Sequence, residues 1–292
     1  MNETFELQSI TSFTADIFEE APDDIEFFNF AGTSQKRFNQ DLLLNIEGWG
    51  GYVDGIIGFS AFRDVLDQEL DPPFVFDTRA ERFTLSAFAD FTAHVTDDLD
   101  LLFGARVQRE SRDFLTVGTG FGGPLFREED LTIETVFLPK VGLAYEFLPD
   151  QTVSLVARRG FNSGGSGVDL FSGEPFVFES ETVWTIEAGY RGTFDNNRYS
   201  VAATGSFNIH DDYQFASADP NVGAIENFDG TSFGLELEGQ AQVTDTLAVR
   251  GGLGLVRTEL DAPGTPVDGN RFGSDPEATL SGAVIWTPIS GL

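Results

Sequence analysis

The sequence feature that most constrains the fold is a two-residue alternation of apolar and polar side chains, sustained over stretches of about ten residues. The clearest stretch spans residues 83–95, and its intervening positions are mostly polar. Its apolar positions are Phe83, Leu85, Ala87, Ala89, Phe91, Ala93 and Val95. Such alternation is typical of a β-strand with one apolar and one polar face.

Pairs of these stretches are joined by short turns. Residues 138–210 contain two such hairpins, which turn at residues 148–151 and 195–197. The pattern predicts roughly twelve strands along the chain. The other strands are expected near residues 5–17, 38–46, 53–61, 83–95, 99–107, 233–243, 247–255 and 278–286.

Long connections alternate with the short turns. They are polar or glycine-rich and cover residues 63–80, 110–130, 211–230 and 259–276. Pro72 and Pro73 argue against a central strand in the first of them, because proline cannot donate to a sheet ladder. Short turns on one rim and long loops on the other are the organisation of an outer-membrane β-barrel, whose tilted strands need about 9–11 residues to span the bilayer.

The polar face of one predicted strand favours a barrel over a soluble sandwich. Glu236, Glu238, Gln240 and Gln242 follow one another on that face. The inner faces of a β-sandwich pack apolar side chains against a second sheet, whereas a barrel lumen accommodates polar ones. The sequence therefore predicts an all-β, antiparallel transmembrane barrel.

Composition excludes several classes of function. The formal net charge is −31, with 17 Lys and Arg against 48 Asp and Glu, which repels phosphate backbones and argues against a nucleic-acid partner. The acidic run at residues 16–26 is predicted to be a solvated loop. This run and the acidic residues at 64–71 and 211–219 either attract cationic ligands or divalent ions at the cell surface or serve solubility in a salty habitat, and the sequence favours solubility. Cysteine is absent, so disulfides and thiolate metal sites are absent too. No run approaches the roughly 20 apolar residues of a membrane helix.

Several segments resemble, in the right order, the barrel of TonB-dependent outer-membrane receptors. They are residues 138–146 (LPKVGLAYE), 159–165 (RGFNSGG), 181–194 (ETVWTIEAGYRGTF), 227–239 (NFDGTSFGLELEG) and 268–276. The resemblance covers most of the chain from about Arg82 onward, and the first eighty residues more weakly.

The resemblance implies active, TonB-coupled uptake of a scarce solute such as a ferric siderophore, cobalamin or an oligosaccharide. It also implies the outer membrane of a Gram-negative bacterium, contact with outer-membrane lipid, and a plugged barrel of about 22 strands. The sequence shows about half of these strands, no plug domain or TonB box ahead of them, and no aromatic residue at its end, Leu292. Residues 1–6 also lack the features of a secretory signal, so we expect either a cytoplasmic protein or a reading frame that begins inside a larger one.

We therefore expect residues 1–292 to form one partial barrel domain of about 12 strands, which reaches TonB only through a plug domain outside these residues. Two alternatives stay open. One is a soluble or surface-attached, β-rich, adhesin-like module, and the other is a passive porin-like channel. The ligand-binding residues and the solute are not identified by the sequence.

A glycine-rich stretch, residues 164–172 (GGSGVDLFS), matches the calcium-binding nonapeptide of parallel β-rolls. That structure needs tandem copies, because each turn supplies ligands to the next, and no second copy follows. The sequence favours a flexible extracellular loop here.

Catalytic signatures are absent. His94 and His210 lack the spacing of a zinc motif, and the glycines of residues 118–123 do not open a helix. We predict no enzyme activity, no catalytic, metal or cofactor-binding residues, and no cofactor. A hydrolase remains the enzymatic alternative, because a serine and its histidine can meet only in the fold. The aromatic residues Trp184, Tyr190, Tyr199 and Trp286 are either part of an aromatic girdle or ordinary strand residues.

Overall fold

The computed structural model describes residues 4–18, 30–70, 75–119, 125–168, 175–216, 225–273 and 276–288. The strands are β1 (Thr4–Phe18), β2 (Phe30–Trp49), β3 (Val53–Leu70), β4 (Val75–His94), β5 (Leu99–Thr119), β6 (Leu125–Leu148), β7 (Gln151–Asn162), β8 (Gly165–Val168), β9 (Pro175–Phe178), β10 (Glu181–Phe194), β11 (Tyr199–Ala216), β12 (Ile225–Thr244), β13 (Leu247–Asp261) and β14 (Ala278–Trp286). None of these described residues belongs to a helix long and apolar enough to cross a membrane.

Twelve of these strands form a single antiparallel sheet in chain order. The strands β8 and β9 pair only with each other, so β7 pairs directly with β10. Within the described ranges β1 pairs only with β2 and β14 only with β13, which leaves the sheet open. The predicted all-β, antiparallel architecture of about twelve strands, as part of a barrel, is confirmed.

The apolar face of the sheet is exposed. One register row runs across five strands through Leu42, Phe59, Ala87, Val107 and Phe137. All five are exposed, and the exposed fraction reaches 61% for Phe59 and 54% for Phe137. A face of this kind is stable only against lipid or another apolar surface, since contiguous exposed apolar area is costly in water.

The polar face, hereafter the inner face, is the more buried one. Thr84 and Ser86 are each 6% exposed and Glu110 only 3%, although they belong to the same strands as the exposed row. This distribution is the reverse of a soluble protein, in which charged residues are almost never fully buried. It matches the polar interior and apolar exterior of a membrane barrel.

The strands are longer than predicted, which corrects the assignment of long loops. β3 continues to Leu70 and β4 begins at Val75, so most of residues 63–80 is strand. Similarly, β5 ends at Thr119 and β6 begins at Leu125, and residues 211–216 and 225–230 of the loop expected at residues 211–230 belong to β11 and β12. Pro72 and Pro73 fall outside the described residues.

The physical reason is that the outer face becomes charged beyond the apolar band. Arg63 and Glu81 form an ion pair of 2.7 Å there, and Arg79 contacts Asp67 at 3.1 Å. Where both faces meet water the alternation disappears, but the backbone ladder continues. Strand segments of this kind carry no period-two signal in the sequence.

Two local predictions can also be compared with the structure. The turn at residues 195–197 is confirmed, because Asp195, Asn196 and Asn197 have φ values of 52°, 53° and 67°, a conformation that Asp and Asn tolerate better than most residues. The flexible loop expected at residues 164–172 is wrong for residues 165–168, which form β8. The short strand pairs with β9, and residues 169–172 lie outside the described part of the chain.

Candidate ligand-binding site

The inner face of strands β3–β6 carries a network of paired polar side chains. The Arg106 Nε donates to Gln108 at 3.1 Å, and Gln108 in turn donates to Glu110 Oε2 at 3.3 Å. Thr84 also donates to Glu110 Oε2, at 3.1 Å. Deeper along the same face, Lys140 Nζ lies 2.7 Å from Asp90 Oδ2. These contacts offset the cost of removing charged groups from water.

Arg112 connects this network to the neighbouring strand. Its Nη2 donates to Glu134 Oε2 at 2.6 Å, and its Nε lies 3.6 Å from Glu110 Oε1. The side chain of Arg112 is only 15% exposed. Two carboxylates on β5 and β6 therefore hold this guanidinium in place.

The paired strands β8 and β9, together with their flanking residues 163–164 and 179–180, are called the hairpin below and are anchored from two sides. On one side, Ser180 Oγ donates to Glu134 Oε1 at 2.5 Å. On the other side, Gln214 Nε2 donates to the carbonyl oxygens of Ser163 at 2.8 Å and Glu179 at 3.1 Å. The Asn227 side chain accepts the Glu179 N–H at 2.8 Å. Side chains from β6, β11 and β12 thus fix both ends of the hairpin.

A cavity of about 470 Å³ lies between this hairpin and the inner face of β3–β5. Its volume falls within the range of small-molecule sites. Arg82, Arg112, Phe76 and Phe114 line it on the sheet side, and residues 164–167 line it on the hairpin side. We refer to it as the hairpin cavity.

Glycine allows the hairpin to approach the sheet this closely. A Cβ atom at Gly164 would lie 2.5 Å from the Phe178 carbonyl oxygen and 2.8 Å from Arg112 Nη1. Both distances are far shorter than van der Waals contact, so a side chain there would displace the hairpin or Arg112. The glycines that suggested a calcium motif in the sequence therefore have a packing role in the structure.

A second depression, of about 580 Å³, lies along β10–β14. It is lined by Arg191, Glu238 and Arg250 together with several glycines, and it reaches Ser281 and Ala283 of the edge strand β14. Because β14 is an open edge in the described structure, this depression lacks a wall on that side. The hairpin cavity is the better-defined candidate.

The two histidines lie on the inner face in different surroundings. His94 contacts Asp54 at 2.9 Å through Nε2 and Asp100 at 2.7 Å through Nδ1. His210 contacts Glu181 at 2.8 Å through Nδ1 and Ser232 at 3.3 Å through Nε2. Within the described ranges, no three His, Cys, Asp or Glu side chains are grouped so that they could hold a metal ion.

The Ser232–His210–Glu181 arrangement has the order of a hydrolase relay, and no local sequence signal indicated it. The hydroxyl of Ser232 also accepts a hydrogen bond of 2.9 Å from Asn208. Ser232 pairs with Asn208 on β11 and Thr258 on β13, so the backbone amides around it belong to a ladder on both sides. Free backbone donors, the usual oxyanion hole of a serine hydrolase, are therefore scarce at this position.

An acidic group, consisting of Asp211, Asp212, Asp229 and Glu179, lies near the end of β11 and beyond the apolar band. Asp212 has a φ of 59° at a register shift of the strand. Its burial, and then the negative charges of Glu179, Asp229 and Asp211, raise the pKa of Asp212. The group therefore contains mutual repulsion that a proton relieves.

The sequence identified no ligand-binding residues, and it missed Arg82 and Arg112. Both lie on the inner face, two residues from Thr84 and Glu110 respectively. Arg82 directly precedes the alternating stretch of residues 83–95, so the periodicity indicated its face. Arg112 lies in residues 110–130, which the sequence predicted to be a loop. The proximity of both to the hairpin could not be read from the sequence, because it depends on strand register and on how β8 and β9 fold over the sheet.

Comparison with known proteins gives a family and a set of similar structures. The family described as TonB dependent receptor-like, beta-barrel, matches residues 3–291. The ferric yersiniabactin uptake receptor FyuA from Yersinia pestis has a TM-score of 0.78 at 20% identity, over 97% of this chain and 44% of that one. The ferric-catecholate import receptor Fiu from E. coli K12 has a TM-score of 0.70 at 12% identity, over 89% of this chain and 43% of that one.

The alcaligin outer-membrane receptor FauA from Bordetella pertussis is also similar, with a TM-score of 0.61 at 17% identity, over 89% of this chain and 45% of that one. At these identities the likeness shows the fold. The chain spans less than half the length of each of these three structures.

Proposed function

Because the chain belongs to the TonB-dependent receptor family and forms barrel strands in the outer membrane of a Gram-negative bacterium, we propose that it takes part in active, TonB-coupled uptake of a scarce solute. The observation that carries the proposal is the division of the sheet into two faces. The exposed apolar face suits lipid, and the inner face carries paired charges and the hairpin cavity. A solute that crosses the membrane along the inner face would meet this cavity.

Ferric siderophores are the first solute class to test. The similar structures are named for ferric yersiniabactin, ferric catecholate and alcaligin uptake or reception. Cobalamin and oligosaccharides are the other two classes that the family resemblance implies. We assign contact with TonB to a plug domain, which the described residues do not include.

The role that we propose for the barrel is binding and passage rather than catalysis. The polar side chains of the inner face are hydrogen-bonded largely to one another, and free backbone donors are scarce around Ser232. In this proposal the Ser232, His210 and Glu181 side chains hold β10, β11 and β12 in register. Lipid and the solute are the partners of the barrel strands.

Deletion of the coding region in the source bacterium tests the proposal. Uptake of ⁵⁵Fe-loaded siderophores, labelled cobalamin and labelled oligosaccharides is measured in the wild type, in the deletion strain and in a tonB deletion strain. We expect one solute class to lose uptake in both deletion strains. Uptake that needs the protein but persists without TonB would instead indicate a passive channel, and unchanged uptake of all three classes would favour the adhesin-like module.

A further inference from the structure

Strands β11 and β12 extend past their neighbours as a two-stranded ribbon, formed by residues 213–216 and 225–228. The pairing of β11 with β10 ends at Asp211, and the pairing of β12 with β13 ends at Asp229. In the described structure the sheet therefore continues on neither side of the ribbon. A two-stranded ribbon alone is only marginally stable in water. Its stability must come from the segments that pack beside it.

The hairpin is one of these segments, and it contacts the ribbon through side-chain amides. Gln214 donates to the carbonyl oxygens of Ser163 and Glu179, and its Oε1 accepts a hydrogen bond of 3.0 Å from Asn162. The Asn227 side chain accepts the Glu179 N–H and donates to the Glu179 carbonyl oxygen at 3.1 Å. Both ends of the hairpin are thus hydrogen-bonded to the ribbon.

The second segment is the loop of residues 262–273, hereafter the 262–273 loop. Its Phe272 is only 5% exposed, and the Phe272 ring stacks on the ring of Tyr213 with a centroid distance of 4.0 Å. Phe215 and Leu260 are buried in the same cluster. The aromatic contacts of this loop therefore support the ribbon from β11.

The 262–273 loop reaches the inner face because Gly230 has no side chain. A Cβ atom at Gly230 would lie 2.6 Å from the Phe272 ring, and Gly230 pairs with the inner-face residue His210. The His210 ring meets the Phe272 ring edge-on at 5.0 Å and contacts Glu181, the residue that directly follows the hairpin. The loop and the hairpin thus approach each other on the inner face.

Two consecutive residues connect the two segments. Tyr213 stacks on the 262–273 loop, and Gln214 is hydrogen-bonded to the hairpin. Consecutive side chains of a strand point to opposite sides, so the ribbon lies between the segments and is held by both. Loss of either segment leaves the ribbon with support on one side only.

We propose that the hairpin, the ribbon and the 262–273 loop open and close as one unit, with Phe272 as the latch that keeps the hairpin over the hairpin cavity. Withdrawal of Phe272 removes the aromatic support of the ribbon, and Gln214 is then no longer held where it bonds the hairpin. The coupling is reciprocal, so release of the hairpin loosens the 262–273 loop. It does not depend on which solute the barrel carries.

Hydrogen exchange of the intact protein in detergent tests the coupling in both directions. Phe272→Ala is expected to accelerate exchange at residues 165–168 of the hairpin by about tenfold or more. Phe272→Leu should accelerate it less, because leucine stays apolar but cannot stack on Tyr213. Gln214→Ala is expected to accelerate exchange at Gly269 by about tenfold, although the Gly269 N–H itself bonds the Leu260 carbonyl oxygen within the loop region.

Two variants are matched controls. Ile46→Ala also truncates a buried apolar side chain, 4% exposed, but on β2. Gln242→Ala also removes an amide that donates to a main-chain carbonyl, that of Thr244 at 2.7 Å, at the other end of β12. Both are expected to leave exchange at residues 165–168 and at Gly269 as in the wild type. Thermal melting verifies that every variant is folded.

Three results would overturn the inference. The first is that both Phe272 variants accelerate exchange only within residues 262–273. The second is that Gln214→Ala accelerates exchange only in the hairpin. The third is that Ile46→Ala accelerates exchange at residues 165–168 as much as Phe272→Ala does, because that would indicate a general loosening of the sheet rather than a latch.

Discussion

Ser180 and Glu134 are joined by a hydrogen bond of 2.5 Å that ties the end of the β8–β9 hairpin to strand β6. The other oxygen of Glu134 accepts from Arg112 at 2.6 Å. A single carboxylate thus links the hairpin, the sheet and an arginine of the cavity wall. Substitutions of Glu134 should therefore weaken contacts of both the hairpin and the sheet.

Glu134→Gln is predicted to loosen the hairpin and destabilise the sheet. The substitution removes the charge partner of Arg112, which is 15% exposed, and hydrogen bonds to charged groups contribute about 1.5–3 kcal/mol. Hydrogen exchange at residues 165–168 should accelerate, and the free energy of unfolding should fall by about that amount. Ser180→Ala removes only the hairpin contact, so it should accelerate exchange while costing the sheet less. Equal, wild-type exchange in both variants would contradict the anchoring role.

A charge placed in the exposed apolar row is predicted to be costly. Phe59→Arg puts a cation on the face that we assign to lipid, where such a residue costs about 2–4 kcal/mol near the bilayer midplane. Val65→Arg is the matched control, since Val65 lies on the same face of β3 opposite Lys36 and Glu81, in the charged region beyond the apolar band. There the cost should be about 0–1 kcal/mol. Denaturant titration in lipid vesicles measures the free energy of unfolding of both variants. Equal losses in the two variants would argue against a lipid-facing band.

Asp212→Asn is predicted to stabilise the protein at neutral pH. Burial and the charges of Glu179, Asp229 and Asp211 raise the pKa of Asp212, so the native state binds this proton more tightly than the unfolded chain does. Binding of this proton stabilises the native state. The stabilisation is fully present below the unfolded-state pKa of Asp212 and is lost as the pH rises through its raised folded-state pKa. Asn stays neutral and tolerates the φ of 59°, so the gain should be about 0.5 kcal/mol or less at pH 7.

The pH dependence of melting separates this effect from others. The gain from Asp212→Asn should vanish near pH 3, about a unit below the ordinary aspartate pKa. Asp150→Asn is the control, because Asp150 also has a positive φ, 63°, but lies in a short turn away from the acidic group. A pH-independent gain, or the same gain in both variants, would show that repulsion is not its cause.

Ser232→Ala is predicted to alter stability but not to abolish any hydrolysis. The Ser232 hydroxyl contacts Asn208 at 2.9 Å and His210 at 3.3 Å, so its loss should cost about 1 kcal/mol. A fluorophosphonate probe should leave the wild-type serine unlabelled, and uptake should be unchanged in the variant. Labelling that disappears in Ser232→Ala would instead reveal a hydrolase site on the inner face.

The sequence predicted the membrane-spanning part of the fold because lipid on one side and polar groups on the other impose a period of two. The stretch from Phe83 to Val95 is the clearest instance, and β4 contains all of it but its last residue. The same strand begins at Val75, eight residues earlier. That extension was missed because Asp77, Arg79 and Glu81 place charge on the outer face, where the alternation ends.

The candidate site was less accessible to prediction than the fold. Alternation places Arg82 on the inner face, but its position opposite Arg112 follows from a register that the sequence does not specify. The hairpin cover depends on contacts across 46 and 51 residues of sequence, those of Ser180 with Glu134 and of Gln214 with Ser163. Such distant pairs leave no local pattern in the sequence. The glycines at residues 164–167 do form a local pattern, but it was interpreted as a flexible loop, whereas residues 165–168 form β8.

The two faces of the sheet are expected to meet different surroundings, lipid on the outer face and water and solute on the inner face. The chain contains no cysteine, so single cysteines can be introduced and spin-labelled without background. Labels along β6 are placed in turn at outer positions Phe137 and Val141 and at inner positions Val136 and Lys140, in protein reconstituted into lipid vesicles. Collision rates with oxygen, which concentrates in lipid, and with a water-soluble nickel chelate are then compared. We expect oxygen access to be higher at Phe137 and Val141 and nickel access to be higher at Val136 and Lys140. Equal nickel access at all four positions would contradict this expectation.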